Sequence, residues 1–196
     1  MDEKGLIQPS HRVMHIAPER GISARIQKIP AIVYEAYDLF PENYSFAHAK
    51  KMDLAKECET LPSDHYDVII HSHVMEHIQC NFTAVMFHLQ RALTSGGVHI
   101  FSVPILSGHY DDCLGGLTDE DRIRRFGQID HVRRFGSSDI HASLGMIFPL
   151  PKAYNLEEEL PATLLDKHNI PQSARVGFSS SSVFVMRKDQ FKLASI

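Results

Sequence analysis

Four groups of acids and imidazoles stand directly at the ends of short apolar runs, and these positions have the means to do chemistry. Glu19 follows Arg12-Val-Met-His-Ile-Ala17, Asp38 closes the run from Ile32, and Asp53 closes residues 48–53. His71-Ser-His-Val-Met-Glu-His77 follows Val68-Ile-Ile70. A carboxylate about 20 residues past a strand–turn–helix is the arrangement that holds two ribose hydroxyls. Asp38 follows Gly21 by roughly that interval, although an aspartate that merely starts a turn before Pro41 would look the same. Asp53 could accept from an adenine amino group, or be an ordinary loop carboxylate.

The turn Ala17-Pro-Glu-Arg-Gly21 is a poor cradle for phosphate, because Pro18 removes one N–H and Glu19 adds negative charge. An acidic turn repels a dinucleotide and tolerates a cation. A nicotinamide-dependent reductase is disfavoured on that ground. An adenosine compound with a positively charged amino-acid tail and no phosphate suits the turn, and S-adenosylmethionine is such a compound.

Thirteen histidines make some clustering expected by chance. His71, His73 and His77 could bring two or three imidazoles to one metal, since i and i+4 share a helix face. The stretch begins on a strand, however, and Glu76 is its only carboxylate, so the balance goes against a metal. Capping or packing under the strand elbow is the competing role for His77.

The elements that must position these groups alternate. Arg12–Ala17 reads as a strand, and Ile22, Ile26 and Ile29 are spaced for a helix ended by Pro30. Residues 32–38 and 48–53 read as strands. Tyr66-Asp-Val-Ile-Ile70 reads as a central strand buried on both faces. Phe82, Val85, Met86, Leu89 and Leu93 give the next helix, which Gly96-Gly97 would stop before a strand at 98–103. Such repeated units predict an α/β fold: a doubly wound, mostly parallel Rossmann-like sheet with helices on both faces. Ligands of such sheets sit over the carboxyl ends of the strands, where these groups converge.

Bulk properties narrow the field. A chain of 196 residues with 43% hydrophobic and 22% charged content fits one globular domain. A net charge of −4 supplies no footprint for nucleic acid or an acidic membrane. Three cysteines without a close pair, no apolar run of spanning length, and a start too short and charged for a signal peptide point to the cytoplasm.

The order of elements resembles the class I S-adenosylmethionine-dependent methyltransferases. The segment from Tyr66 to Ile78 is similar to the fourth-strand signature of the type-11-like group, and Leu93-Thr-Ser-Gly-Gly-Val98 to its glycine turn. Arg125-Phe-Gly-Gln-Ile-Asp-His-Val-Arg-Arg-Phe-Gly136 resembles the FGQxDHVR segment of a bacterial subgroup. The resemblance covers roughly residues 12–148. It implies S-adenosylmethionine as cofactor, S-adenosylhomocysteine as product, and methyl transfer to a small-molecule acceptor. It makes His15, Ala17, Pro18, Glu19 and Gly21 the methionine-end site. Asp38 with Leu39 would hold the ribose, Asp53 and Leu54 would flank the adenine, and His71, Ser72 and His73 would line the sulfonium side, with His77 close by. The first motif departs from the family, because His15, Ala17 and Glu19 stand where an acid and two glycines are usual. Glu19 is then expected to replace the missing acid and pair with the cofactor's ammonium, against the plainer role of a helix-start glutamate favoured by the dipole.

On this reading residues 1–196 are one domain, with 12–103 as the cofactor-binding half. Residues 104–136 are an insertion that must supply much of the acceptor site, with a helix capped at Thr118. Residues 137–196 contribute a short helix and two edge strands, Met146–Leu150 and Ser182–Arg187, one of them antiparallel. His73 and His131 are the candidates for a catalytic base, since imidazole titrates near neutral pH. His131 could equally be a structural link oriented by Asp130. Partners reduce to the acceptor and no nucleic acid or membrane, with a homodimer left open. A module that keeps the cofactor cleft without turnover is the alternative, as is a metal-binding protein using His71, His73 and His77.

Overall fold

The computed structural model describes residues 4–194, so the first three residues of the leader predicted over 1–11 lie outside them. Its main sheet has six strands: β1 (Arg12–Ile16), β2 (Val33–Asp38), β3 (Lys50–Lys51), β4 (Tyr66–Ser72), β5 (Leu93–Ser102) and β9 (Val183–Arg187). Their order is β3-β2-β1-β4-β5-β9, all parallel except β9, which runs antiparallel to β5. The expected mostly parallel α/β sheet with an antiparallel edge strand near the C-terminus is what forms. The order reverses at β1 and β4, and in such sheets the crevice opens at that reversal.

Val68, Ile69 and Ile70 make β4 central, because both of its faces are covered and none of the three is more than 3% exposed. On one face Val13, Val68, Ile70, Val98 and Ile100 meet Ile26 of α1 (Arg20–Ile26). On the other, Met14, Ile69 and Phe101 meet Phe82, Val85, Met86 and Leu89 of α3 (Phe82–Ala92). Asn81 starts α3 by accepting from the Thr83 N–H at 2.9 Å.

The strand expected over 48–53 shortens to Lys50–Lys51, leaving Asp53 as the cap of the next helix. Helix α1 ends at Ile26 rather than at Pro30, and two further predicted elements change character. The helix stops at Ala92, and Gly96-Gly97 lies inside β5 rather than at the helix end. Leu93 pairs with Tyr66 and Val98 with Val68, so the residues between bulge out. A Cβ at Gly97 would stand 2.9 Å from the Leu93 Cβ and from the Thr94 carbonyl oxygen, so this glycine answers to a close approach. Residues Met146–Leu150 do not form a strand. Leu144–Ile147 is a single helical turn, α5, and Pro149 has no N–H for a ladder. Ile147 and Phe148 are buried beneath the sheet, with the Phe148 ring 5.4 Å from that of Phe101, and β9 alone forms the antiparallel edge.

The segment after β5 folds over the carboxyl ends of the strands. It contains β6 (Ile105–Leu106), β7 (Asp111–Asp112), α4 (Asp119–Phe126) and β8 (Arg133–Gly136), with β8 central in a small three-stranded sheet. The Thr118 hydroxyl accepts from the Asp121 N–H at the start of α4, and Gly127 ends that helix with φ +89°. Two further helices, α2 (Leu54–Glu57) and α6 (Ala162–Lys167), are short. Among the described residues no helix is long and apolar enough to cross a membrane.

Candidate functional site at the strand ends

Parallel strands deliver their final residues to one edge, so the tips of β1, β2 and β4 carry the predicted groups side by side. At β1, His15 is fully buried, with Nε2 2.8 Å from Glu19 Oε2 and Nδ1 2.9 Å from the Tyr34 hydroxyl. Burial pushes Tyr34 up to about 12, so its hydroxyl stays protonated. With Glu19 ionised, His15 Nε2–H donates to it. Burial alone would raise the Glu19 pKa. The bond and charge of His15, the residue's own backbone N–H and Ser72 outweigh that and hold it below the usual carboxylate range. Glu19 occupies the N-cap of α1 without a side-chain capping bond. Its carboxylate is turned away from the helix and over the β1 tip.

Ala17 sits in the left-handed region at φ +49°, and its N–H bonds the Tyr37 carbonyl at 2.9 Å. A residue other than glycine is strained there. Pro18 supplies no donor, and a Cβ at Gly21 would meet nothing within 4 Å.

At β2, Asp38 Oδ1 accepts from the Phe40 N–H at 2.7 Å, which is the turn-starting role. Leu39 and Phe40 beside it are exposed. Tyr44 lies within reach of both Asp38 and Glu19. Burial first, then the Asp38 charge and hydrogen bond and the Glu19 charge, raise its pKa. At β3, Asp53 caps α2 by accepting from the Ala55 N–H at 3.0 Å and pairs with Lys56 at 2.8 Å. Leu54 is buried in the core.

At β4 alternation separates neighbours. His71 points into the α3 face, 1% exposed, stacked on Phe101 and edge-on to His99. Burial drives its pKa to about 3, and neither ring nitrogen has a hydrogen-bond partner. Its side chain therefore does not line the strand-end crevice. Ser72 points the other way, toward Glu19, with its hydroxyl 2.6 Å from that of Ser102. His73 leaves the strand at φ +52°, half-exposed, with Nδ1 3.4 Å from Glu76 Oε1. The hydrogen bond to Glu76 raises its pKa.

The loop after β4 meets the 104–136 segment at a polar cluster. His77 Nδ1 lies 3.2 Å from Asp130 Oδ2, and the His77 and His131 rings are 4.7 Å apart. Asp130, in a turn, thus pairs with His77 and not with its neighbour His131. His131 instead bonds the Phe126 carbonyl through Nδ1 at 3.2 Å. His71 stands apart from His73 and His77, so the metal trio that the sequence offered only as a disfavoured alternative is not assembled. Sequence reading missed Arg133. Fully buried, it donates to the carbonyls of Met75, Ile78 (2.7 Å) and Cys80 (2.5 Å) and to Asp112 Oδ2 (2.9 Å). The only sequence signal was its place in the resembled DHVR run. Tyr34 and Tyr44 were missed because their partners come from other strand ends.

The chain matches a methyltransferase-domain model over residues 5–141. No curated protein matches it. Its fold is that of an S-adenosylmethionine-dependent methyltransferase from Mesorhizobium loti (TM-score 0.58, 15% identity, 91% of each chain covered). A second such enzyme, from Archaeoglobus fulgidus, is also similar (TM-score 0.51, 14% identity, 90% of this chain and 86% of that one). So is a chain of a Haloferax volcanii complex with the Trm112 methyltransferase activator (TM-score 0.52, 12% identity, 74% of this chain). Of that last chain it spans 66%, just under two thirds. The family match over most of its length and the sheet order just described together mean that the chain belongs to the methyltransferase-domain family, with the class I fold that uses S-adenosylmethionine.

Proposed function

We propose that the protein moves a methyl group from S-adenosylmethionine to a small-molecule acceptor. The observation that carries this reading is Glu19, whose ionised carboxylate is turned off the helix onto His15 at the β1 tip. The donor set fits the cofactor at two of its three parts. Glu19 presents an anion, partly open to solvent, for an ammonium, and Asp38 at the adjacent strand tip is an acceptor for ribose hydroxyls. At the adenine end the fit is weaker, because Asp53 is already engaged by Ala55 and Lys56. Bound there, the cofactor supplies an activated methyl group on a positively charged sulfur.

The chain's own residues then have limited work. Methyl transfer requires in-line alignment and, for some acceptors, a base. His73, half-exposed just past β4, is the group to take the acceptor proton, and Ser72 with Ser102 shapes the floor beside it. His131 is 4% exposed, held through Nδ1 to the Phe126 carbonyl and packed edge-on against the His77 ring, which suits joining residues 104–136 to the loop after β4 better than proton transfer. That segment, closing over the strand ends, is where the acceptor is expected to seat.

A module that binds the cofactor without turnover remains the second reading, favoured by the strained alanine at position 17 and the engaged Asp53. Calorimetry with S-adenosylmethionine, S-adenosylhomocysteine and NAD tests the cofactor. Binding of the first two and not the third is expected, and no binding of either adenosyl compound at millimolar levels overturns the proposal. An acceptor screen then separates turnover from binding alone.

A further inference from the structure

Glu76, His77 and His131 present ligand atoms that all lie within 4.8 Å of one another, where the loop after β4 meets the 104–136 segment. Glu76 is 1% exposed and His131 4%. A buried carboxylate needs close partners to remain ionised. Around Glu76 these are sparse. His73 Nδ1 is 3.4 Å and His77 Nε2 4.0 Å from Oε1, and Oε2 has no hydrogen-bond partner.

The two histidines are oriented in a way that a cation would explain. The Phe126 carbonyl only accepts, so His131 carries its proton on Nδ1 and keeps a lone pair on Nε2. His77 likewise has Nδ1 against the Asp130 carboxylate, which leaves Nε2 toward Glu76. Each imidazole is thus anchored through Nδ1 to an oxygen, the outer arrangement that fixes the tautomer and orientation of a metal-ligating histidine.

We propose that Glu76, His77 and His131 hold one divalent transition-metal ion of the zinc class. Two imidazoles and a carboxylate match zinc, while magnesium and calcium require oxygen donors. Bonds of about 2.0–2.1 Å would draw the three side chains closer together. Three protein ligands leave a fourth position open to water. The ion would clasp the post-β4 loop to the 104–136 segment. Its binding is independent of methyl transfer.

The test is zinc titration of tag-free, chelator-stripped protein, by calorimetry and by competition with a chromophoric chelator, with magnesium as a parallel arm. One zinc per chain at micromolar affinity or tighter is expected, with no magnesium binding at the same concentrations. Glu76→Gln and His77→Gln should each weaken zinc at least about tenfold, and Asp130→Asn about tenfold through the lost outer contact. His141→Gln, on a different turn, should change nothing. Asp130 is 60% and His77 36% exposed, so their variants are expected to fold even if Glu76→Gln does not, with circular dichroism as the check. Failure of the wild-type protein to bind zinc, or zinc binding unaltered by His77→Gln and Asp130→Asn, overturns the proposal.

Discussion

Glu19 Oε2 lies 2.8 Å from His15 Nε2, and this contact turns the carboxylate off the helix and over the tip of β1. His15 comes up through the sheet, buried and braced by Tyr34, and Glu19 reaches back over it from the start of α1. The carboxylate is the exposed member of the pair and the one available to a cation.

Glu19→Ala is therefore expected to weaken S-adenosylmethionine binding about fivefold or more, from an ionic contact of about 1 kcal/mol. Asp38→Asn should weaken it comparably through the ribose. Calorimetry reads both, and unchanged affinity in the Glu19 variant removes its assigned role.

Acid should destabilise the fold through His71 and His99. Both are fully buried, and desolvation holds His71 at about 3 and His99 well below its usual value. Their folded-state values lie under the unfolded ones, so the associated stability is present above about pH 6.5 and lost as pH falls toward the folded values. Each contributes a slope of about 1.4 kcal/mol per pH unit in that window. His71→Phe should unfold in urea with a visibly flatter pH dependence below neutrality than the wild-type chain. Identical pH profiles would show that His71 takes up a proton in the folded state.

Arg133→Lys should cost about 3 kcal/mol in urea unfolding. A guanidinium forks to the Met75, Ile78 and Cys80 carbonyls and to Asp112 together, and an ammonium is a single point of charge that cannot. A loss under 1 kcal/mol by the same measurement would mean that water or other donors satisfy those carbonyls (a threshold of about the net value of one hydrogen bond).

His73→Gln is expected to lower kcat about a hundredfold with an acceptor that must lose a proton, and to leave cofactor affinity unchanged. Full turnover in that variant would assign proton removal elsewhere.

Local pattern made much of the architecture legible. The β-branched run at 68–70 is a central strand because only a strand covered on both faces buries such a run, and the Phe82–Leu89 stripe is a helix because its spacing is helical. Thr118 caps α4 as its local sequence requires. Residues 146–150 misled because a short continuous apolar run looks the same whether a strand or a buried turn takes it up. Gly96-Gly97 misled because a glycine pair marks both helix ends and bulges.

The sequence by itself determined that acids and histidines follow the apolar runs of β1, β2 and β4, since local pattern marks where those strands stop. Only the tertiary structure decided which of them face one another. It turned His71 into the core and Ser72 toward Glu19, because alternate residues of β4 leave on opposite faces. It brought His131 to His77 across more than fifty residues of chain, because β8 packs the 104–136 segment onto the post-β4 loop through Arg133. Proximity across such separations comes from packing, and no spacing rule along the chain encodes it.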